Sequence, residues 1–144
     1  MTSSRGPNGA QVMAQFLPQS PFVAKLGIVP EVLDGTLDGK GVRLRMPWDP
    51  ANVTLGDVVH GGAIAALADV TVMAAAWSGV RTAESLRGVT TSMALQFVSP
   101  ARATDLLGIG RVLRQGNTLV NCDVDVVTPD GQLVAKAIAT YKVG

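Results

Sequence analysis

The chain is short of two residue types that commonly carry chemistry. It has a single histidine, His60, and a single cysteine, Cys122. One imidazole and no cysteine cluster leave too few soft ligands for a metal centre, so none is expected. One cysteine rules out an internal disulfide framework and fits a reducing, cytoplasmic setting. Charge is nearly balanced, with Lys+Arg 12 against Asp+Glu 11, so neither nucleic acid nor an anionic membrane surface is an electrostatic partner. Aromatic residues make up only 4% of the chain, which weakly favours a subunit that hides surface in an oligomer. Residues 1–9 lack an apolar core of the kind a secretory peptide needs. They are expected to form a flexible tail ahead of one domain over residues 10–144, which is long enough to bury a true core.

The chain does have one long apolar run, Val59 to Trp77, which opens on His60-Gly61-Gly62 and holds one carboxylate, Asp69. Ala and Leu dominate it, and the Gly-Gly pair sits where a helix would begin. Apolar residues fall on every face, so the helix is expected to be buried all round. By length it could cross a membrane, but a mid-helix aspartate costs about 2.5–3.5 kcal/mol there, and amphipathic strands follow. A buried, unpaired carboxylate is also costly, so Asp69 needs a reason to be where it is.

The rest of the chain reads in order. Ala10 to Leu17 forms a short helix stopped by Pro18, and Pro21 to Leu26 forms another ending at Gly27. Ile28–Leu37 and Gly41–Met46 read as strands joined by a turn at Asp38-Gly39-Lys40-Gly41. Pro47 to Thr54 is a loop. After the central helix, Arg87–Val98 alternates, with Thr91, Met93, Leu95 and Phe97 on one face and Thr90, Ser92, Ala94 and Gln96 on the other. Thr104–Arg114 follows, with Gly108 and Gly110 as bulge or bend positions. Leu119–Thr128 turns Val120, Cys122, Val124 and Val126 inward, and Pro129-Asp130-Gly131 marks a hairpin. Leu133–Val143 closes the sheet, with Lys136 and Lys142 toward solvent. The simplest architecture is α+β, a single antiparallel sheet wrapped around one long buried helix.

This order and its motifs resemble the hotdog fold, and within it the small acyl-CoA thioesterases of the phenylacetate-degradation (PaaI-like) type. The residues that carry the resemblance are His60-Gly61-Gly62 with Leu67-Ala68-Asp69. Gly88-Val89-Thr90 leading into Leu95-Gln96-Phe97-Val98-Ser99-Pro100-Ala101 adds support, as does Gly110-Arg111-Val112-Leu113-Arg114-Gln115-Gly116. The match runs over roughly residues 20–143. It implies hydrolysis of an acyl-CoA without metal or redox cofactor, coenzyme A being part of the substrate, in a homodimer that often pairs into a homotetramer. It also implies that Gly61 polarises the thioester carbonyl, that Asp69 is base or nucleophile, that Thr90 positions water, and that His60 shapes the site. Relatives commonly carry Asn or Gln about six residues before the histidine. Here that slot is Thr54, with Asn52 two residues earlier, and either could stand in.

The residues support the same chemistry without the family. N–H groups at a helix N-terminus are unpaired and carry the positive end of the dipole. Glycine lets a carbonyl approach them, which makes an oxyanion-type site. Asp69 can act as general base or as nucleophile. Gly61 and Asp69, however, lie eight residues apart, about 12 Å along the axis. One helix cannot bring both to one thioester carbon, whereas two antiparallel helices about a two-fold axis can.

Plainer roles stand beside these. His60 can be a helix cap, Gly61-Gly62 can serve packing, Asp69 can be structural, and Thr90 can be an ordinary strand residue. Gly62, Asn52, Thr54 and Thr91 are candidate substrate contacts. Arg111 and Arg114 could meet coenzyme A phosphates or be solvated strand-edge residues. Cys122 faces inward with no paired base. Three functions remain open: an acyl-CoA thioesterase, a non-catalytic acyl-CoA binding or regulatory protein, and a hydratase or dehydratase. The last usually enters its helix through a proline-bearing segment that is not found here.

Overall fold

The computed structural model describes residues 7–34, 41–80 and 87–144. Helix α1 (Gly9–Phe16) opens on Asn8, whose side chain accepts from the Gln11 N–H while the Gln11 side chain accepts from the Asn8 N–H, a reciprocal capping box. Asn8 and Gly9, expected in the tail, therefore belong to the helix. The Gly9 N–H donates to the Val80 carbonyl at 2.7 Å, and a Cβ on Gly9 would collide with the Trp77 carbonyl. A single 3-10 turn, Leu17–Gln19, leads into α2 (Pro21–Leu26), which ends at Gly27 with φ +70.

Strand β1 (Val29–Val32) pairs with β2 (Val42–Met46). The end of the expected first strand and the turn at residues 38–40 lie outside the described residues. The segment expected as a loop contains more structure than that. A 3-10 turn (Pro50–Asn52) is followed by β3 (Val53–Leu55) and β4 (Val58–Val59), which form a separate two-stranded ribbon. Runs of three and two residues are too short to show a period. Helix α3 spans Gly61–Ser78. Then come β5 (Gly88–Phe97), β6 (Leu106–Gln115), β7 (Leu119–Val127) and β8 (Leu133–Val143). The main sheet is antiparallel in the order β1-β2-β6-β7-β8-β5, so β5 is an edge strand. The expected sheet around one central helix is found, with the ribbon added to it.

The core lies between α3 and the inner face of the sheet. Val120, Cys122, Val124 and Val126 are fully buried there, as the alternation required. Gly108 and Gly110 are not bulge positions. A Cβ on Gly108 would collide with Thr71 Oγ1, and one on Gly110 would stand 2.9 Å from Thr71 Cγ2. They form a notch that seats the buried Thr71, and the β6 irregularity falls instead between Val112 and Arg114. On the outer face Lys136 is not free in solvent but bridges Asp123 and Asp125, 2.8 Å from each.

Helix α3 is long and apolar enough to cross a membrane, yet 67% of it is buried within this chain, as in a core helix. It is not buried all round. Gly62 and Asp69 are exposed, and Ala65, Ala66 and Met73 are half-buried. These positions recur at helical spacing and form one open stripe. Side chains that are small and apolar on every face hide such a stripe from sequence reading, since only the neighbours decide which face stays uncovered.

Candidate active site

The ribbon delivers the chain into α3. The His60 N–H donates to the Asn52 carbonyl at 2.8 Å, and His60, with φ −62 and ψ 135, caps the helix. Its Nδ1 accepts from the Gly62 N–H at 2.7 Å, which puts the imidazole proton on Nε2. A Cβ on Gly62 would lie 2.9 Å from that Nδ1, so the cap itself requires glycine there. Gly61 differs. A Cβ on it would meet only the Phe97 ring at an ordinary 3.5 Å, so packing within this chain does not demand glycine. Its N–H has no partner among the described residues. It is the free first-turn donor that an oxyanion site needs.

Asp69 lies two turns along, on the open stripe. Its Oδ1 accepts from the Thr90 hydroxyl at 2.7 Å. Strict alternation would put Thr90 on the opposite face from Met93 and Leu95. The register of β5 on β8 shifts between Thr90 and Ser92, and this bulge turns Thr90 inward with them. Thr91, at the shift, donates instead to the Thr140 carbonyl at 3.1 Å and does not line the Asp69 cavity. That cavity, of about 280 Å³, is walled by Phe16, Phe22, Val70, Met73 and Val89 and bordered by Asp69, Thr90 and Tyr141.

A second hollow, of about 210 Å³, holds Asn52 with His60 and Gly62, and Phe22 stands between the two spaces. The Asn52 Nδ2 is buried without a hydrogen-bond partner among the described residues. Thr54 is exposed and lies around the helix start, in a hollow with Gly61, Phe97 and Val98. The two candidates for the polar slot therefore sit on different sides of the His-Gly-Gly turn. Arg111 lies away from its own chain's Asp69. Gly110 faces α3, so its neighbour Arg111 points to the other face of the sheet, where it pairs with Asp125 at 3.5 Å. It cannot reach a ligand at its own chain's Asp69. Arg114 is exposed beyond the β6 bulge, away from the helix start.

Burial, with a smaller contribution from Asp123, pushes the Cys122 thiol up to about 12, which disqualifies it as a nucleophile. No group of three metal-ligating side chains occurs among the described residues. Sequence reading missed the Tyr141–Trp77 pair, in which the indole N–H donates to the tyrosine hydroxyl at 2.9 Å. The signal was a lone large residue at the end of an inward row of small ones, Ala135, Ala137 and Ala139.

A family model described as the Thioesterase superfamily matches residues 56–135, a span that includes the His-Gly-Gly turn, all of α3 and strands β5 to β7. A Saccharolobus solfataricus protein named "Putative esterase" is 29% identical over 98 residues, 68% of this chain and 68% of that protein. A thioesterase family protein of Silicibacter pomeroyi superposes with a TM-score of 0.81 at 25% identity, over 95% of this chain and 100% of the other. A phenylacetic acid degradation-related protein of Ralstonia eutropha, titled a "putative thioesterase", gives a TM-score of 0.79 at 27% identity, over 94% and 100%. The wrapped helix, the free Gly61 donor and these matches converge, and the chain belongs to the thioesterase superfamily of hotdog-fold hydrolases, among relatives of the PaaI-like type.

Proposed function

We propose that the protein hydrolyses acyl-CoA thioesters at two equivalent sites shared across a homodimer. The observation that carries this is the placement of half-sites along the edge strand β5. Its Thr90 end holds Asp69, and its Phe97 end packs beside Gly61. Antiparallel pairing of β5 with the same strand of a second copy brings unlike ends together. The Gly61 N–H of one chain then faces Asp69 of the other, which answers the roughly 12 Å separation within one helix. Exposed apolar side chains flank both ends, with Phe22 and Val89 near Asp69 and Leu55, Phe97 and Val98 near Gly61, as a covered interface requires. Pairing of two dimers into a tetramer fits the half-exposed Ile138 on the outer sheet face.

In the reaction, the acyl group enters the Asp69 cavity and the thioester oxygen meets the Gly61 N–H at the positive end of α3. Asp69 takes a proton from a water that Thr90 helps to hold, and the water oxygen bonds to the carbonyl carbon. The oxyanion then collapses, the C–S bond breaks, and the thiolate leaves with the proton to give free acid and coenzyme A. If Asp69 attacks directly, its carboxylate oxygen bonds to the carbonyl carbon and the thiolate leaves, giving a mixed anhydride that water cleaves. Label found in Asp69 after a single turnover in heavy-oxygen water identifies this route, since water that attacks the aspartyl carbonyl leaves its oxygen there. His60 fixes the turn, and Asn52 offers an unpaired amide donor beside it. The steps balance without metal or redox cofactor, coenzyme A being part of the substrate, and a reduced Cys122 suits the cytoplasm.

The test is thiol release from acetyl-, hexanoyl-, lauroyl- and phenylacetyl-CoA by the native chain and by Asp69→Asn. Loss of a proton acceptor or nucleophile should lower turnover by about 10²-fold or more, with thermal stability little changed because Asp69 is exposed. Equal rates in both proteins would make Asp69 structural. Binding without hydrolysis in the native chain would point to a non-catalytic acyl-CoA binding protein.

A further inference from the structure

The cavity beside Asp69 has a polar end. Tyr141 pairs directly with Thr90 across β8 and β5 and is only 4% exposed. Its hydroxyl is held from one side by the Trp77 indole N–H at 2.9 Å, and the two rings meet edge to face with centroids 6.5 Å apart. An indole N–H can only donate, so this bond uses an oxygen lone pair and leaves the tyrosine proton uncommitted. Among the described residues the hydroxyl makes no hydrogen bond to an acceptor. Burial, with a smaller effect of Asp69, raises the Tyr141 pKa while the Trp77 bond lowers it, and the net shift is upward, so the group is a neutral donor at working pH. Gly88 leaves room for the hydroxyl, since a Cβ there would stand 2.6 Å from it, and Gly88 and Tyr141 both line the cavity. The other walls, Phe16, Phe22, Val23, Val70, Met73 and Val89, are apolar, and Ser20 adds one further hydroxyl at the rim of α2. A buried donor without an acceptor is costly, and a site built around one discriminates against ligands that leave it unpaired.

We propose that Tyr141 is a specificity-determining residue whose hydroxyl proton, aimed by Trp77, selects acyl groups that carry a hydrogen-bond acceptor toward their far end. The inference rests on the thioesterase reading for its location, the acyl group occupying the Asp69 cavity. It goes beyond that reading in naming the acyl chemistry.

The test compares hexanoyl-CoA and octanoyl-CoA with counterparts bearing a ketone on the penultimate carbon, which accepts a hydrogen bond and donates none. The native protein should favour the oxo partner of at least one pair by about three- to tenfold in kcat/KM, the range of one added hydrogen bond. In Tyr141→Phe that ratio should fall to about one. A merely structural role for Tyr141 would lower both members of a pair alike and leave the ratio intact. Non-hydrolysable thioether analogues of the same pairs, titrated into the native protein by calorimetry, give a second readout that needs no variant and no turnover. Discrimination in binding without hydrolysis would sink the enzyme reading and keep this one. Turnover of both members with no preference, or a preference unchanged in Tyr141→Phe, would overturn the role of Tyr141 and leave the hydrolase standing. Failure to bind or to hydrolyse either member would end both.

Discussion

At the scale of single residues, the His-Gly-Gly turn divides its labour. His60 is the cap and Gly62 the space the cap requires, while Gly61 is the free donor. The plainer role of His60 therefore operates alongside whatever part it takes in the site. Gly62→Ala would push the imidazole off the Gly62 N–H. It should cost about 0.5–2 kcal/mol, the usual loss for a helix cap, read as a lowered midpoint in urea. Activity should fall further than stability, because the same turn aims Gly61. A variant as stable as the native chain would show that the imidazole moves aside without loss. His60, Gly61 and Asp69 were legible in the sequence because they stood out in one long apolar run of strong helix formers. Tyr141 was marked only as the one large residue ending an inward row of alanines, a pattern that does not tell a cavity wall from ordinary core.

At the scale of elements, two devices fit α3 to its sheet, and both depend on one residue more or less. The β5 bulge turns Thr90 toward Asp69. Alternation alone put Thr90 on the wrong face, since one extra residue reverses every side chain beyond it. The Gly108–Gly110 notch admits Thr71, whose hydroxyl also donates back to the Leu67 carbonyl at 2.7 Å. Gly108→Ala should therefore destabilise the protein by about 1–3 kcal/mol through overpacking. Adding Thr71→Ala should recover part of that loss, so that the two changes are not additive. Denaturant midpoints of the two single variants and the double variant measure the coupling. Strict additivity would mean that α3 shifts away rather than clashing. The glycines were visible in the sequence, but their purpose was not, because a close approach involves two elements.

At the scale of the whole molecule, the open stripe on α3, the free edge of β5 and the exposed apolar side chains at both its ends lie together. Shared sites have a distinctive consequence. Gly61→Pro removes only the N–H donor, because proline suits the first helical position and His60 already has the extended backbone that precedes proline. Gly61→Pro and Asp69→Asn should each be inactive. Mixed in equal amounts and refolded together, they should recover about a quarter of native activity, since half the dimers are mixed and each of those holds one intact site. Sedimentation should show dimers throughout. No recovery in demonstrably mixed dimers would place both groups of a site in one chain.

Local sequence is enough for the parts: one long apolar helix behind a His-Gly-Gly turn, strands with an alternating inward row, and a carboxylate two turns along. These follow from period, propensity and composition, which act over a few neighbouring residues. Long-range packing settles which face of the helix stays open, that Thr90 turns inward, that Arg111 lies across the sheet from Asp69, and that a tyrosine hydroxyl lines the cavity. Each of these depends on which distant element lies alongside, and a local pattern carries no record of that.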